Sequence, residues 1–201
     1  TLINSGSWNL ETDDLFRVHE CSEEQMMQMI TDEVCLLYDR EHPFDTQLLC
    51  PSHKGVSGIT AINKALQQVL NPKVPGQKEI VFGNSHFRAG DKVITTSNNY
   101  DLGYFNGDLG IISQVSGDEL IINVLGRDIR IDRNHFCDVA LAYCVSIHKS
   151  QGSEFKQVII VLPSDPASML RRNLLYTAVT RAKKSCFIIS AKGAIKTCCK
   201  T

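Results

Sequence analysis

Residues 148–155, HKSQGSEF, bring His148, Lys149, Ser150, Gln151, Gly152 and Glu154 into one short segment, between the apolar runs LAYCVSI and QVIIVLP. A glycine lets backbone N–H groups approach an anion closely, and lysine and hydroxyl donors complete such a site. CPSHKG, residues 50–55, repeats the pattern, with Pro51, Ser52, His53 and Lys54 directly after another apolar run. In an open α/β sheet, ligands gather at the carboxyl ends of the strands. Two such turns on one edge suit a phosphate backbone followed along its length, whereas either turn alone is a common surface loop. A third segment, TAVTRAKK at 177–184, ends a helix with Arg181, Lys183 and Lys184. Cations there complement the helix macrodipole, and an arginine so placed can also reach a phosphoryl group held by a neighbouring domain. Local sequence leaves both readings open.

Strands and helices must hold these turns. LFRVHE (15–20) and TQLLCP (46–51) read as strands. Between them Ser22 is a good N-cap, and Met26, Met29, Ile30, Val34 and Leu37 recur at helical spacing as core residues. The other face of that helix, with Glu23, Glu24, Asp32 and Glu33, reads as solvated. GVSGITAINKALQQVLN (55–71) predicts a second helix, stopped by Asn71-Pro72, and residues 72–90 predict a loop. DKVITT (91–96) is a strand, and GIISQV, ELIINVL and DIRID are short strands joined by glycine-containing turns, a small antiparallel meander. LAYCVSI, QVIIVLP and SCFIIS return to the continuous apolar runs of parallel strands covered on both faces. Between the last two, DPASMLRRNLLYTAVTRAKK predicts a helix that packs through Leu170, Leu174, Tyr176, Ala178 and Val179. The pattern is an α/β fold, a parallel sheet flanked by helices, at 1–107 and 138–201, with a small β module inserted at 108–137.

Composition narrows the class. An apolar fraction of 43% and a charged fraction of 21% over 201 residues are ordinary for a globular chain. No run approaches the roughly 18 to 20 apolar residues that span a bilayer, and TLINSGSWNL lacks the basic and apolar regions of a leader. Thr1 in place of a methionine is expected of a piece of a longer protein. The eight cysteines never form Cys-x-x-Cys and read as reduced core residues, so no metal site is expected. Residues 1–50 hold eleven Asp/Glu against two Lys/Arg, and the remainder holds eleven against nineteen, so the larger part can face a polyanion.

AYCVSIHKSQGSEFKQVIIVLP followed by NLLYTAVTRAKK resembles the last two motifs of superfamily 1 DNA helicases in the RecD-like branch. GDKVITTSNNYDLGYFNGDLGII (90–112) resembles the segment leading into that branch's SH3-like insertion, and LLCPSHKGVSGITAINKALQQVLNP its preceding strand, loop and helix. Together these cover most of residues 14–191 in the family's order. The resemblance implies a RecA-like sheet carrying an SH3-like barrel. It also implies the second motor domain of an ATP-dependent 5′-to-3′ DNA helicase. Pro51, Ser52, His53, Lys54, His148, Lys149 and Ser150 would meet single-stranded DNA. Gln151, Gly152 and Glu154 would face ATP, and Arg181, beside Thr180, its γ-phosphate. Asn98, Asn99, Tyr100, Asn106, Gly107 and Asp108 match the motif before the insertion and read as structural first. No Gly-Lys pair occurs, hence no phosphate loop of the G-x-x-x-x-G-K-[ST] kind. ATP and Mg2+ would therefore be held mainly by an N-terminal motor domain of the same protein, and this chain alone would not hydrolyse ATP. A non-catalytic module that binds single-stranded nucleic acid on the same fold is the alternative. Cysteine and methionine usage favours a eukaryotic member, for which a nuclear location is expected, and a cytoplasmic one otherwise.

Overall fold

The computed structural model describes residues 15–164 and 170–200. In chain order it forms β1 (Phe16–Cys21), α1 (Glu23–Leu37), β2 (Thr46–Cys50), α2 (Ile59–Leu70), β3 (Glu79–Phe82), β4 (Ser85–Arg88) and β5 (Lys92–Thr95). β6 (Leu109–Ser116), β7 (Glu119–Val124), β8 (Arg127–Asp132), a 3-10 turn (Arg133–Asp138) and β9 (Val139–Leu141) follow. β10 (Cys144–Ser146), β11 (Phe155–Leu162), α3 (Arg172–Val179), β12 (Ala182–Ala191) and α4 (Ala194–Lys200) complete the order. Two compact units result, one from the residues up to Ala65 and from Cys144 onward, the other from Leu66–Tyr143.

The first unit is built on five parallel strands in the order β1-β12-β11-β2-β10. Val158, Ile159, Ile160, Val161 and Leu162 of the central strand are all 0% exposed, as a parallel strand covered on both faces requires. Each such side chain contributes about 1.5 to 3 kcal/mol by leaving water. α1 starts after Ser22, whose N–H donates to Gln25 Oε1 at 3.4 Å, and buries Met26, Ile30 and Val34. Its acidic face is more than solvated surface: Glu33 pairs with Arg17 at 2.8 Å, and Glu23 accepts from both the N–H and the hydroxyl of Ser164 at 2.7 Å. In α3 the residues buried are Leu175 and Ala178, while Tyr176, expected inside, is 49% exposed. Residues 165–169 of the helix expected there lie outside the described residues. Six cysteines are buried free thiols, and Cys35 and Cys137 are exposed ones.

The second unit is an antiparallel sheet in the order β8-β7-β6-β5-β9, with β3 and β4 as a separate hairpin. Phe87, Tyr104, Ile112, Leu120, Ile131 and Phe136, each 0% exposed, form its core. Its extent, Leu66–Tyr143, is wider than the 108–137 read from the strand pattern. The reason is pairing: β5 bonds to β6 on one side and β9 on the other, so the sheet recruits a strand from before 108 and another from after 137. LAYCVSI, expected as one strand, is consequently divided between antiparallel β9 and parallel β10. The expected loop at 72–90 contains the β3–β4 hairpin, closed at Gly83-Asn84, with Gly83 at φ +57°.

Candidate nucleic-acid and nucleotide site

β2 and β10 are neighbours in the parallel sheet, and Cys50 lies opposite Ser146 in their register. CPSHKG and SIHKSQG therefore leave the sheet side by side at its carboxyl edge. A cleft of about 400 Å³ opens between them, lined by Pro51 and His53 from one loop and Ser146, Ile147, His148 and Gln151 from the other. α3 closes it with Arg171, Asn173, Leu174 and Thr177. The apolar floor of Pro51, Ile147 and Leu174 is rimmed by imidazoles, amides and a guanidinium, a lining suited to a polar ligand with an anionic edge.

The first loop is fixed by close backbone packing. A Cβ on Gly58 would stand 2.3 Å from the Lys54 carbonyl oxygen and 2.8 Å from that of His53. Only glycine lets the start of α2 lie against the loop this closely. Ile59 N–H donates to Ser52 O at 2.9 Å, and the buried Cys50 thiol donates to Ser52 O at 3.5 Å. Ser52 is itself buried and its hydroxyl donates to Lys54 O at 3.0 Å, so it shapes the loop and does not line the cleft. Lys54 is exposed and is not one of the residues that line the cleft.

The second loop is held by its own serines. Ser150 is 1% exposed and its hydroxyl donates to Ile147 O at 2.7 Å, while Lys149 N–H donates to Ser146 Oγ at 3.2 Å. Gly152 takes φ +84°, a left-handed conformation that ends the turn. His148 and Gln151 point into the cleft as exposed side chains. Partial burial lowers the pKa of Lys149 below the usual lysine value. Gln151 thus shares the cleft with His148. Glu154 is exposed and pairs with Lys183 at 3.2 Å.

Arg181 follows α3 and clasps that turn. Its Nε donates to Thr177 O at 3.1 Å, Nη1 to Ser153 O at 3.0 Å and Nη2 to Thr180 Oγ1 at 3.1 Å. A guanidinium carries five N–H donors, so two remain beyond these three bonds. Such charged donors are of the kind that bind a phosphoryl group. The fit to Mg2+ is different: among the described residues no group of three or more His, Cys, Asp or Glu could hold a metal ion. In the motif before the insertion the Asn98 and Asn99 side chains hold the turn, accepting from Asn106 and Leu102 N–H at 2.7 and 2.9 Å, while Tyr100 is exposed. Sequence reasoning missed Arg171, Asn173 and Thr177, although 173, 174 and 177 fall on one helical face. Leu174 was expected to pack inside and instead lines the cleft.

Known proteins resemble both units. The ATP-dependent RecD-like DNA helicase SH3 domain matches residues 62–125, and the UvrD-like helicase C-terminal domain matches residues 141–189. An ATP-dependent RecD2 DNA helicase of Deinococcus radiodurans is 34% identical over 76% of this chain and 21% of its own length. The RecBCD enzyme subunit RecD of Mycolicibacterium smegmatis is 29% identical over 89% of this chain and 33% of its own. The chain thus spans a fifth to a third of these curated relatives. A crystal structure of Pif1 helicase from Bacteroides in complex with ADP-AlF3 and ssDNA superposes on 89% of this chain and 51% of that one, with a TM-score of 0.54 at 19% identity, a likeness of fold. With an SH3 domain of the RecD-like kind set into a helicase C-terminal domain of parallel strands, the chain belongs to the RecD-like branch of superfamily 1 helicases, as part of their C-terminal region.

Proposed function

We propose that the chain is the C-terminal motor domain of an ATP-dependent 5′-to-3′ DNA helicase or translocase. It grips single-stranded DNA in the cleft and completes, with Arg181, an ATP site whose Mg2+ is held mainly by an N-terminal motor domain of the same protein. The observation that carries this reading is convergence: two loops rich in phosphate-binding groups leave adjacent strands and open onto one cleft. The second of those loops is tied to Arg181 through Ser153. DNA contact and nucleotide contact therefore meet in one turn. ATP, when bound, supplies the phosphoryl transfer; the residues here bind, orient and neutralise charge. The 5′-to-3′ polarity rests on the family resemblance.

The full-length protein carrying Lys149→Ala or Arg181→Ala tests it. Lys149→Ala should weaken binding to oligothymidylate and flatten the salt dependence by about one unit, as loss of one phosphate contact does. Arg181→Ala should leave DNA binding without nucleotide nearly unchanged while lowering ATP turnover by roughly 10³-fold or more. The 201-residue chain alone should show no ATPase. Wild-type protein that binds DNA and never hydrolyses ATP would instead support a binding module.

A further inference from the structure

Two walls of the cleft are the loops after β2 and β10, and the third is α3. A helix that only closed the cleft would present an apolar stripe. α3 instead presents Asn173 and Thr177, one turn apart, with Leu174 beside them. Asn173 is exposed, and its amide offers two donors and an acceptor. The Thr177 hydroxyl donates to Asn173 O at 2.8 Å, which orients it and leaves its oxygen as an acceptor toward the cleft. We propose that Asn173 and Thr177 are nucleic-acid contacts, neutral hydrogen-bonding groups on the third wall of a single-strand groove, beside the Arg171 guanidinium that enters the cleft from the start of the same helix. This rests on the reading of the cleft as a single-strand site. A groove so built can hold phosphate at Arg171 and the loop imidazoles and meet sugar or base edges through the neutral groups of Asn173 and Thr177. Thr177 also joins groove to nucleotide side, because its carbonyl accepts from Arg181 Nε at 3.1 Å and from the Thr180 hydroxyl at 2.9 Å.

The test uses the full-length protein and fluorescent oligothymidylate, with affinity measured across a salt series. Thr177→Val keeps the branched shape and removes the hydroxyl; Asn173→Ala removes the amide. Each should weaken binding about threefold to tenfold, the effect of one net hydrogen bond, with the salt slope unchanged. Asn173→Asp is nearly isosteric and places a carboxylate against the strand. It should weaken binding more than Asn173→Ala does, and the excess loss should shrink as salt screens the repulsion. A variant that merely unsettled the helix would show no such salt-dependent excess. Unchanged affinity in Thr177→Val and Asn173→Asp, while Lys149→Ala still weakens binding, would overturn this inference alone. If Lys149→Ala also has no effect, the single-strand reading itself falls.

Discussion

Glu79 gathers two cations and an imidazole: Arg88 Nε at 2.6 Å, Lys73 Nζ at 2.9 Å and His86 Nδ1 at 3.1 Å. Burial alone would raise its pKa, but the hydrogen bonds from Arg88, Lys73 and His86 prevail and hold it at about 2. A carboxylate depressed on folding stabilises the native state above its unfolded pKa, and that contribution is lost as pH falls through the folded value. The small unit should therefore lose stability between about pH 4.5 and pH 2, and Glu79→Gln should flatten that slope. Asp91 acts in the opposite sense, because burial raises its pKa against bonds from Asn71, Arg88, Gln67 and Tyr143. Hydrogen-exchange protection of β3–β8 amides in both proteins from pH 6 to pH 2 measures the difference. Parallel losses would mean that Glu79 is not the titrating group. Nothing in the sequence marked this cluster, since the residue types are ordinary and only the hairpin brings 86 and 88 to 79, where Lys73 of the preceding segment joins them. His53, His148 and Gln151 were legible because their types and spacing are local. Ser52 and Ser150 were legible as residues but not in direction: their hydroxyls turn inward to the carbonyls of Lys54 and Ile147.

Elements repeat this division between local and non-local information. α1, β2, β11 and β12 follow directly from apolar period and capping, and the structure places them where that period predicts. The division of LAYCVSI between β9 and β10 depends on which distant strand each half meets, which no local period encodes. The β3–β4 hairpin did carry a signal, a two-residue Gly-Asn turn between EIVF and SHFR, obscured by the prolines and glycines before it. At the loop between β2 and α2, two glycines make opposite predictions. Gly58→Ala forces a Cβ to within 2.3 Å of the Lys54 carbonyl oxygen, a backbone atom that must move. Destabilisation of about 1 to 3 kcal/mol is expected, with displacement of His53 and weaker binding of oligothymidylate. Gly55, at φ +96°, has nothing within 4 Å of an added Cβ. Gly55→Ala should cost about 1 to 2 kcal/mol of backbone strain and leave DNA affinity nearly intact. Melting temperature and fluorescence anisotropy on the two variants decide it, and equal DNA defects would show that the Gly58 contact does not position the loop.

At the scale of the whole chain, the first unit is interrupted between Ala65 and Cys144 and yet keeps one continuous parallel sheet. No strand from Leu66–Tyr143 enters that sheet, and β10 pairs with β2 immediately after the interruption. Asn63 bridges the gap: its amide donates to Cys144 O at 2.8 Å and accepts from Cys144 N–H at 2.9 Å, and both residues are buried. The chain therefore leaves and re-enters the unit within reach of one side chain. Replacing Leu66–Tyr143 by a short Gly/Ser linker should leave the first unit folded, because shortening an excursion between neighbouring points does not raise the entropic cost of closing it. Ile59 and Ile62 remain to anchor the shortened α2, and every residue lining the cleft remains as well. Cooperative thermal unfolding by circular dichroism and salt-dependent binding of oligothymidylate are the expected results. Asn63→Ala in the linked protein should then cost about 1 to 3 kcal/mol for each polar group of Cys144 left unsatisfied, with Asn63→Ala in the intact chain as the control. A linked protein that unfolds without cooperativity would show that the SH3-like unit is a folding requirement of the first unit. One that folds and loses DNA binding would show that the groove continues beyond the cleft between the two loops and α3.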